Sequence, residues 1–259
     1  MNRSLLLLAA LSVSVSACQG GSADQSTAAT HEATPHWTYT GDGAPDAWGT
    51  LSAEFETCSI GGAQSPIDVP LAAAGAAPAL ESDHAPAPVR YVFNGHTIQF
   101  DGSNGGGITV DGRAYALKQF HVHFPSEHRV EGQSYPGEIH FVHADSTGAL
   151  AVVGVLVAEG AENPVLAPAM AGLAGLVEGV TAAPEATIDP DDLMPAGGYR
   201  AYTGSLTTPP CSEGVQWFVL DAPIELSKGQ IDAFSAVTGA SNRPVQPLGG
   251  RTVASGTLD

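Results

Sequence analysis

Alternation of apolar and polar positions recurs through the middle of the chain. Val89 to Phe93, Thr97 to Phe100, Ala114 to Phe124, Glu138 to Ala144, Ala151 to Ala158 and Val215 to Leu220 are short, rich in Val, Ile and Phe, and predict strands. Polar or Gly-rich turns such as Asp101-Gly102-Ser103-Asn104-Gly105 separate them. Helical spacing is scarce. Its clearest instance starts at Ser227, where Ser227-Lys228-Gly229-Gln230 has the spacing of a capping box and Ile231, Phe234 and Val237 share a face. The Ala-rich stretch from Glu162 to Val180 is broken by Pro164 and Pro168 and predicts weak helix. With 31 Gly and 19 Pro, the chain favours turns over long helices, so the pattern predicts a mainly β fold with a few short helices.

The N-terminus follows a different pattern. Arg3 precedes an apolar stretch from Ser4 to Ala17 that is too short to span a bilayer core, so residues 1–17 are expected to be a signal peptide. Val15-Ser16-Ala17-Cys18 resembles a bacterial lipobox, in which Cys18 becomes the lipidated first residue; ordinary signal cleavage after Ala17 is the alternative. Gln19 to Thr34 is rich in Ser, Ala, Gly and Thr and reads as a tether, which makes 18–35 anchor and linker and 36–259 one domain. The expected location is exported, periplasmic or cell-surface. Of the three cysteines, lipidation of Cys18 would leave Cys58 and Cys211 as an even pair in an oxidising compartment.

Charge narrows the partners. The formal net charge is −18 and Lys118 and Lys228 are the only lysines, so nucleic acid is excluded as a partner, and membrane attachment is expected only through a lipid on Cys18. A small-molecule substrate remains.

Candidate chemistry sits on two of the expected strands. In Gln119-Phe120-His121-Val122-His123-Phe124, a period of two puts Gln119, His121 and His123 on one face. In Glu138-Ile139-His140-Phe141-Val142-His143 the same rule puts Glu138, His140 and Val142 together and turns His143 away. If these faces meet, three imidazoles converge without a fourth protein ligand, which is the pattern of a catalytic zinc site. Gln119 and Glu138 each precede a presumed ligand by two residues, where a side-chain oxygen can accept the imidazole's other N–H.

These motifs, with Pro125-Ser126-Glu127-His128 and Gly204-Ser205-Leu206-Thr207-Thr208-Pro209-Pro210, resemble the α-class carbonic anhydrases. His36-Trp37-Thr38-Tyr39 with Trp48, Gln64-Ser65-Pro66-Ile67-Asp68, Asn94-Gly95-His96 and Asn242-Arg243-Pro244-Val245-Gln246-Pro247 match in the same order. Thr38 and Thr203 depart from the commoner residues at their positions, and neither is a ligand position. The resemblance implies a large central twisted, mostly antiparallel sheet and reversible hydration of carbon dioxide by a zinc-held hydroxide. It implies His121, His123 and His140 as ligands of Zn2+, with Thr207 and the buried Glu127 orienting the hydroxide. Val142, Val152, Leu206 and Trp217 would form the apolar wall beside the substrate, with Thr208 also at the substrate. His96 would shuttle protons through waters ordered by Tyr39, Asn94 and Gln99. The family's exported members carry a disulfide at the positions of Cys58 and Cys211, and His128 and His143 correspond to buried hydrogen-bonding residues. His31 and His84, the latter in a Pro/Ala-rich loop, are given no role.

Two alternatives stand beside this reading. His121-x-His123 with Glu127 and His140 superficially resembles the three-His, one-Glu site of a cupin metalloenzyme. A non-catalytic binding module of the same family is the other.

Overall fold

The β-branched and aromatic residues that alternate along the chain form strands of a single sheet. A computed structural model describes residues 36–102 and 106–258. The signal segment, Cys18, the tether and His31 lie outside the described residues. Among those described, twelve strands form the sheet: β1 (Leu80–His84), β2 (Tyr91–Phe93), β3 (Ile98–Asp101), β4 (Gly106–Val110), β5 (Arg113–His123), β6 (Gly137–Ala144), β7 (Leu150–Glu159), β8 (Thr181–Ala182), β9 (Gly197–Ser205), β10 (Glu213–Leu220), β11 (Ile224–Leu226) and β12 (Ala254–Leu258). The main path runs β8-β2-β3-β5-β6-β7-β10-β9-β12, with β1 on β4, β4 on β5 and β11 on β7. Most pairings are antiparallel as expected, but β7 runs parallel to both β10 and β11, so the sheet is mixed.

The expected strands appear within two residues of their expected ends. The strands missed by alternation are β1, β4, β8, β9, β11 and β12, which are short or Gly-rich. His84 is corrected by this: it lies in β1, buried, not in a loop.

The register between β5 and β6 does what the period of two requires. His121 pairs with His140 and His123 with Glu138, while Phe120 pairs with Phe141 on the opposite face. Across β3, β5 and β6, Phe100, Phe120 and Phe141 stack with ring centroids 4.5 and 5.2 Å apart. Burying each such ring contributes roughly 1.5–3 kcal/mol, and the ladder locks the register that presents the histidines on the other side. Phe120→Ala would remove its middle rung at a cost of about 3–5 kcal/mol. A register shift between Leu117 and Gln119 resets the alternation, so that Leu117 and Phe120 both enter the core and Lys118 stays exposed.

The longest helix among the described residues, Lys228–Thr238, starts with the expected capping box: Ser227 Oγ accepts from Gln230 N at 3.3 Å, and Gln230 Oε1 accepts from Ser227 N at 3.1 Å. Its Phe234 is fully buried beside Phe124, with ring centroids 6.0 Å apart. The Ala-rich stretch yields only the short helix Ala167–Met170. Cys58 and Cys211 are joined by a disulfide.

Candidate metal centre

His121 and His123 on β5 and His140 on β6 bring three ring nitrogens within 4.8 Å of one another. Two of the rings have the other nitrogen hydrogen-bonded. His121 Nδ1 donates to Gln119 Oε1 at 2.7 Å, as expected. His123 Nδ1 donates to the carbonyl of Ser241, an orienting group that the sequence reading missed although it adjoins the Asn242-Arg243 motif. His140 Nε2 stands 2.9 Å from Glu138 Oε1, a close contact outside hydrogen-bond alignment. This leaves His121 Nε2, His123 Nε2 and His140 Nδ1 for a common ligand, and His123 Nε2 is buried without a hydrogen-bond partner. Burial, followed by repulsion from His123 and His140, holds His121 well below the usual imidazole range. Burial likewise lowers His123, to about 4, and also lowers His140. All three are therefore neutral near pH 7, which is the state that binds a metal. A tetrahedral cation of the zinc type fits this all-nitrogen donor set.

Glu127 lies behind the cluster. Its Oε1 accepts from Arg243 N at 2.7 Å; its Oε2, buried without a hydrogen-bond partner, is 3.6 Å from His123 Nε2 and 3.8 Å from His140 Nδ1. Burial pushes this carboxyl up to about 7, opposed by His140, the Arg243 N–H and the Thr207 hydroxyl. Arg243 is itself buried, donating to Gln64 Oε1 at 2.9 Å, Ser65 O at 2.8 Å and Cys58 O at 2.9 Å. The Arg243 motif thus fixes the backbone N–H that grips Glu127.

Glu138 belongs to a second network. Its Oε2 accepts from the backbone N–H groups of Glu127 at 3.0 Å and His128 at 2.8 Å, and Oε1 meets His128 Nδ1 at 2.7 Å. His128 Nε2 meets Tyr202 Oη at 2.7 Å, and Tyr202 meets Ser65 Oγ at 2.8 Å. Burial alone would raise Glu138; His128 and His140 outweigh it and hold the carboxyl well below its usual range.

A cavity of ≈ 110 Å³ opens onto the imidazoles, lined by Trp37, Tyr39, Asn94, His96, Thr97, Gln99, Gln119, His121, His123 and Thr208. Five residues expected in or beside it, Tyr39, Asn94, His96, Gln99 and Thr208, are thus brought together. Asn94 Oδ1 accepts from His96 N at 3.0 Å and Thr97 N at 2.9 Å, which builds the turn that carries His96. Val142, Val152, Leu206 and Trp217 fall in one apolar cluster beside this lining, with the Trp217 ring 4.8 Å from that of His140.

On the opposite face of the sheet, His143 Nε2 meets His84 Nε2 at 2.9 Å, and His84 Nδ1 meets Asp191 Oδ1 at 2.7 Å. Ser82 Oγ also approaches His84 Nδ1, at 2.9 Å, so serine and aspartate share one nitrogen and no nucleophile triad forms. The sequence carries no signal for this cluster, because Asp191 is remote and His84 lies among Ala and Pro.

Three imidazoles on adjacent strands of a large mixed sheet, two with the far nitrogen hydrogen-bonded and all three with the near nitrogen open, define a protein of the catalytic metal-centre class. The chain belongs to the eukaryotic-type, or α, carbonic anhydrase family, whose profile matches residues 43–257, and it is an enzyme of that family. It is 39% identical over 252 residues to a carbonic anhydrase of Pectobacterium atrosepticum, covering 94% of this chain and 97% of the relative. Against a carbonic anhydrase of Neisseria gonorrhoeae it is 42% identical, covering 87% and 90%. The α-carbonic anhydrase of Thermovibrio ammonificans, solved with the inhibitor sulfanilamide, superposes with a TM-score of 0.78 at 42% identity, covering 88% of this chain and 100% of that one. The family implies hydration of carbon dioxide. Membership of this family also removes the cupin alternative.

Proposed function

We propose that the chain hydrates carbon dioxide reversibly to bicarbonate and a proton, using Zn2+ held by His121, His123 and His140. The observation that carries this reading is the set of three neutral imidazoles whose inner nitrogens converge, with the outer nitrogens of His121 and His123 hydrogen-bonded. A zinc ion bound there supplies acidified water as the nucleophile near neutral pH, a chemistry for which carbonic anhydrase is the standard example.

The chain's own residues orient, admit and deprotonate. Thr207, giving its hydroxyl proton toward Glu127, turns an acceptor lone pair to the nucleophile and fixes its direction of attack. Thr208 lines the cavity beside it. Carbon dioxide is apolar and uncharged, and the cluster of Val142, Val152, Leu206 and Trp217 offers it an apolar resting wall next to His140. His96, half-buried at the cavity rim, takes the proton released in each turnover through water ordered by Tyr39, Asn94 and Gln99, and passes it to solvent. Gln119 and Glu138 keep the ligand rings in the required tautomer.

Export belongs to the same reading: residues 1–17 as a signal peptide, Cys18 as a lipid attachment point, 18–35 as a tether and 36–259 as the enzyme domain in the periplasm or at the cell surface. The Cys58–Cys211 disulfide suits an oxidising compartment, and no helix of the described residues is long and apolar enough to cross a membrane.

Stopped-flow hydration of carbon dioxide tests the proposal, before and after zinc removal and with an aromatic sulfonamide added. Fast, zinc-dependent and sulfonamide-blocked hydration is expected. A folded, zinc-loaded and inactive protein would leave the non-catalytic binding module in its place.

A further inference from the structure

His96 is held at the cavity rim by Trp37, whose ring stacks on it with centroids 3.6 Å apart and planes 7° from parallel. Three titratable groups from other parts of the chain face it. The Tyr39 ring lies 6.5 Å away, edge-on, and burial pushes its hydroxyl well above the ordinary tyrosine range, so it stays uncharged. The exposed His36 ring lies 6.1 Å away. The third is Glu178, which arrives from the segment after the short helix Ala167–Met170.

Glu178 is placed by backbone, not by chance contact. Gly179 N donates to Phe93 O at 2.9 Å, and Phe93 and Glu178 form a parallel bridge. The carboxylate then lies over Gly95, the residue before His96: a Cβ at Gly95 would stand 2.9 Å from Glu178 Oε1. Gly95 has φ 89°, so glycine there serves both the turn and the close approach of the carboxylate. The outcome is an anion beside the backbone of the shuttle residue, on the rim where a proton must leave.

We propose that Glu178, seated over Gly95 by its bridge to Phe93, is a positioning residue for proton release that sets a carboxylate at the cavity rim beside the shuttle His96. The inference rests on His96 being the shuttle. A shuttle works best when its proton affinity matches that of its donor. Burial lowers the proton affinity of His96 and His36 lowers it further, whereas Glu178 raises it. Without Glu178, His96 would be a poorer acceptor. The proton moves from cavity water to the free nitrogen of His96, and the opposite ring nitrogen or the same one returns it to solvent or buffer, so His96 ends each cycle neutral.

The test is Glu178→Gln in the full zinc-loaded protein, with the His96 imidazole titrated by NMR and kcat and kcat/KM measured in weak buffer across pH. Glu162→Gln, which removes the same charge from a residue outside the cavity lining, serves as control. For Glu178→Gln the His96 midpoint should move to lower pH and kcat at the alkaline end should fall about two- to threefold, with kcat/KM unchanged. Glu178→Asp should restore most of both, and Glu162→Gln should move neither. An unmoved His96 midpoint overturns the proposal, as does an equal loss of kcat when Glu178→Gln is made on top of His96→Ala. If His96→Ala alone costs nothing in weak buffer, it is the shuttle reading that fails, while the NMR midpoint still reports whether Glu178 acts on His96.

Discussion

Among the described residues, two sets of three bring ligand atoms within metal-binding reach, and they share His140: His121, His123 and His140, and His128, Glu138 and His140. In the second, Glu138 accepts two backbone N–H groups and His128, and His128 is bridged onward to Tyr202 and Ser65. Its His128 and Glu138 side-chain atoms are all hydrogen-bonded, while His140 Nε2 is buried without a hydrogen-bond partner. In the first, His123 Nε2 is buried without a hydrogen-bond partner. Buried polar atoms without partners are costly, by about 1–3 kcal/mol each, and a fold keeps them where a ligand completes them. The difference between the sets is therefore the difference between a scaffold and a site: His128 and Glu138 spend their atoms on each other and on the backbone, whereas the inner nitrogens of His121, His123 and His140 converge.

The largest effect that would break this comparison is at His121. His121→Ala is expected to remove most of the bound zinc and nearly all hydration while the domain stays folded, since the Phe100, Phe120 and Phe141 ladder on the other face is untouched. Zinc analysis, stopped-flow rates and circular dichroism check it together. Retention of full activity would mean that the open set is not the site. Thr207→Ala comes next: zinc stays, but the nucleophile loses its orienting acceptor, and kcat/KM should fall about 10²-fold. Equal losses of zinc and activity would instead make Thr207 part of the scaffold.

How much of this was legible in the sequence follows from the same contrast. The faces of the open set were legible, because His121, His123 and His140 sit on strands whose period of two depends only on local alternation, while the meeting of those faces was implied only by the family resemblance. Gln119 was found for the same reason. The groups that complete the scaffold were not: Ser241 contributes a carbonyl, Arg243 a backbone N–H, and Asp191 reaches His84 from a distant turn. Main-chain partners leave no trace in residue type, and long-range contacts none in spacing. Strand β1 was missed because Leu80–His84 carries Glu81, Ser82 and Asp83 in its middle, too polar to read as alternation. The mixed sheet also escaped, since parallel pairing of β7 with β10 is a property of topology and not of either segment.

A smaller effect sharpens the division within the cavity itself. His96→Ala should lower kcat in weak buffer by about tenfold or more, leave kcat/KM and zinc content unchanged, and recover in part when imidazole is added. A loss that imidazole does not repair would place His96 among the groups that shape the cavity, with Asn94 and its turn, and not among those that move protons.

The smallest effect on activity, and the clearest on stability, is expected across the sheet at His143. It meets His84 through Nε2, while its Nδ1 is buried without a hydrogen-bond partner. Burial, together with His84, lowers His143 to about 3. An unfolded histidine takes its proton near pH 6.5, so on acidification the unfolded chain is protonated first. The stability this group contributes is present above that pH and is lost as pH falls from 6.5 toward 3, with a slope of up to about 1.4 kcal/mol per pH unit. His143→Phe leaves His84 Nε2 short of a partner and should cost about 1–3 kcal/mol at neutral pH, yet it should flatten the acid limb by that slope and leave hydration intact. Urea midpoints measured between pH 7 and pH 4 decide it. An acid limb as steep as that of the parent would show that His143 charges within the fold as readily as outside it.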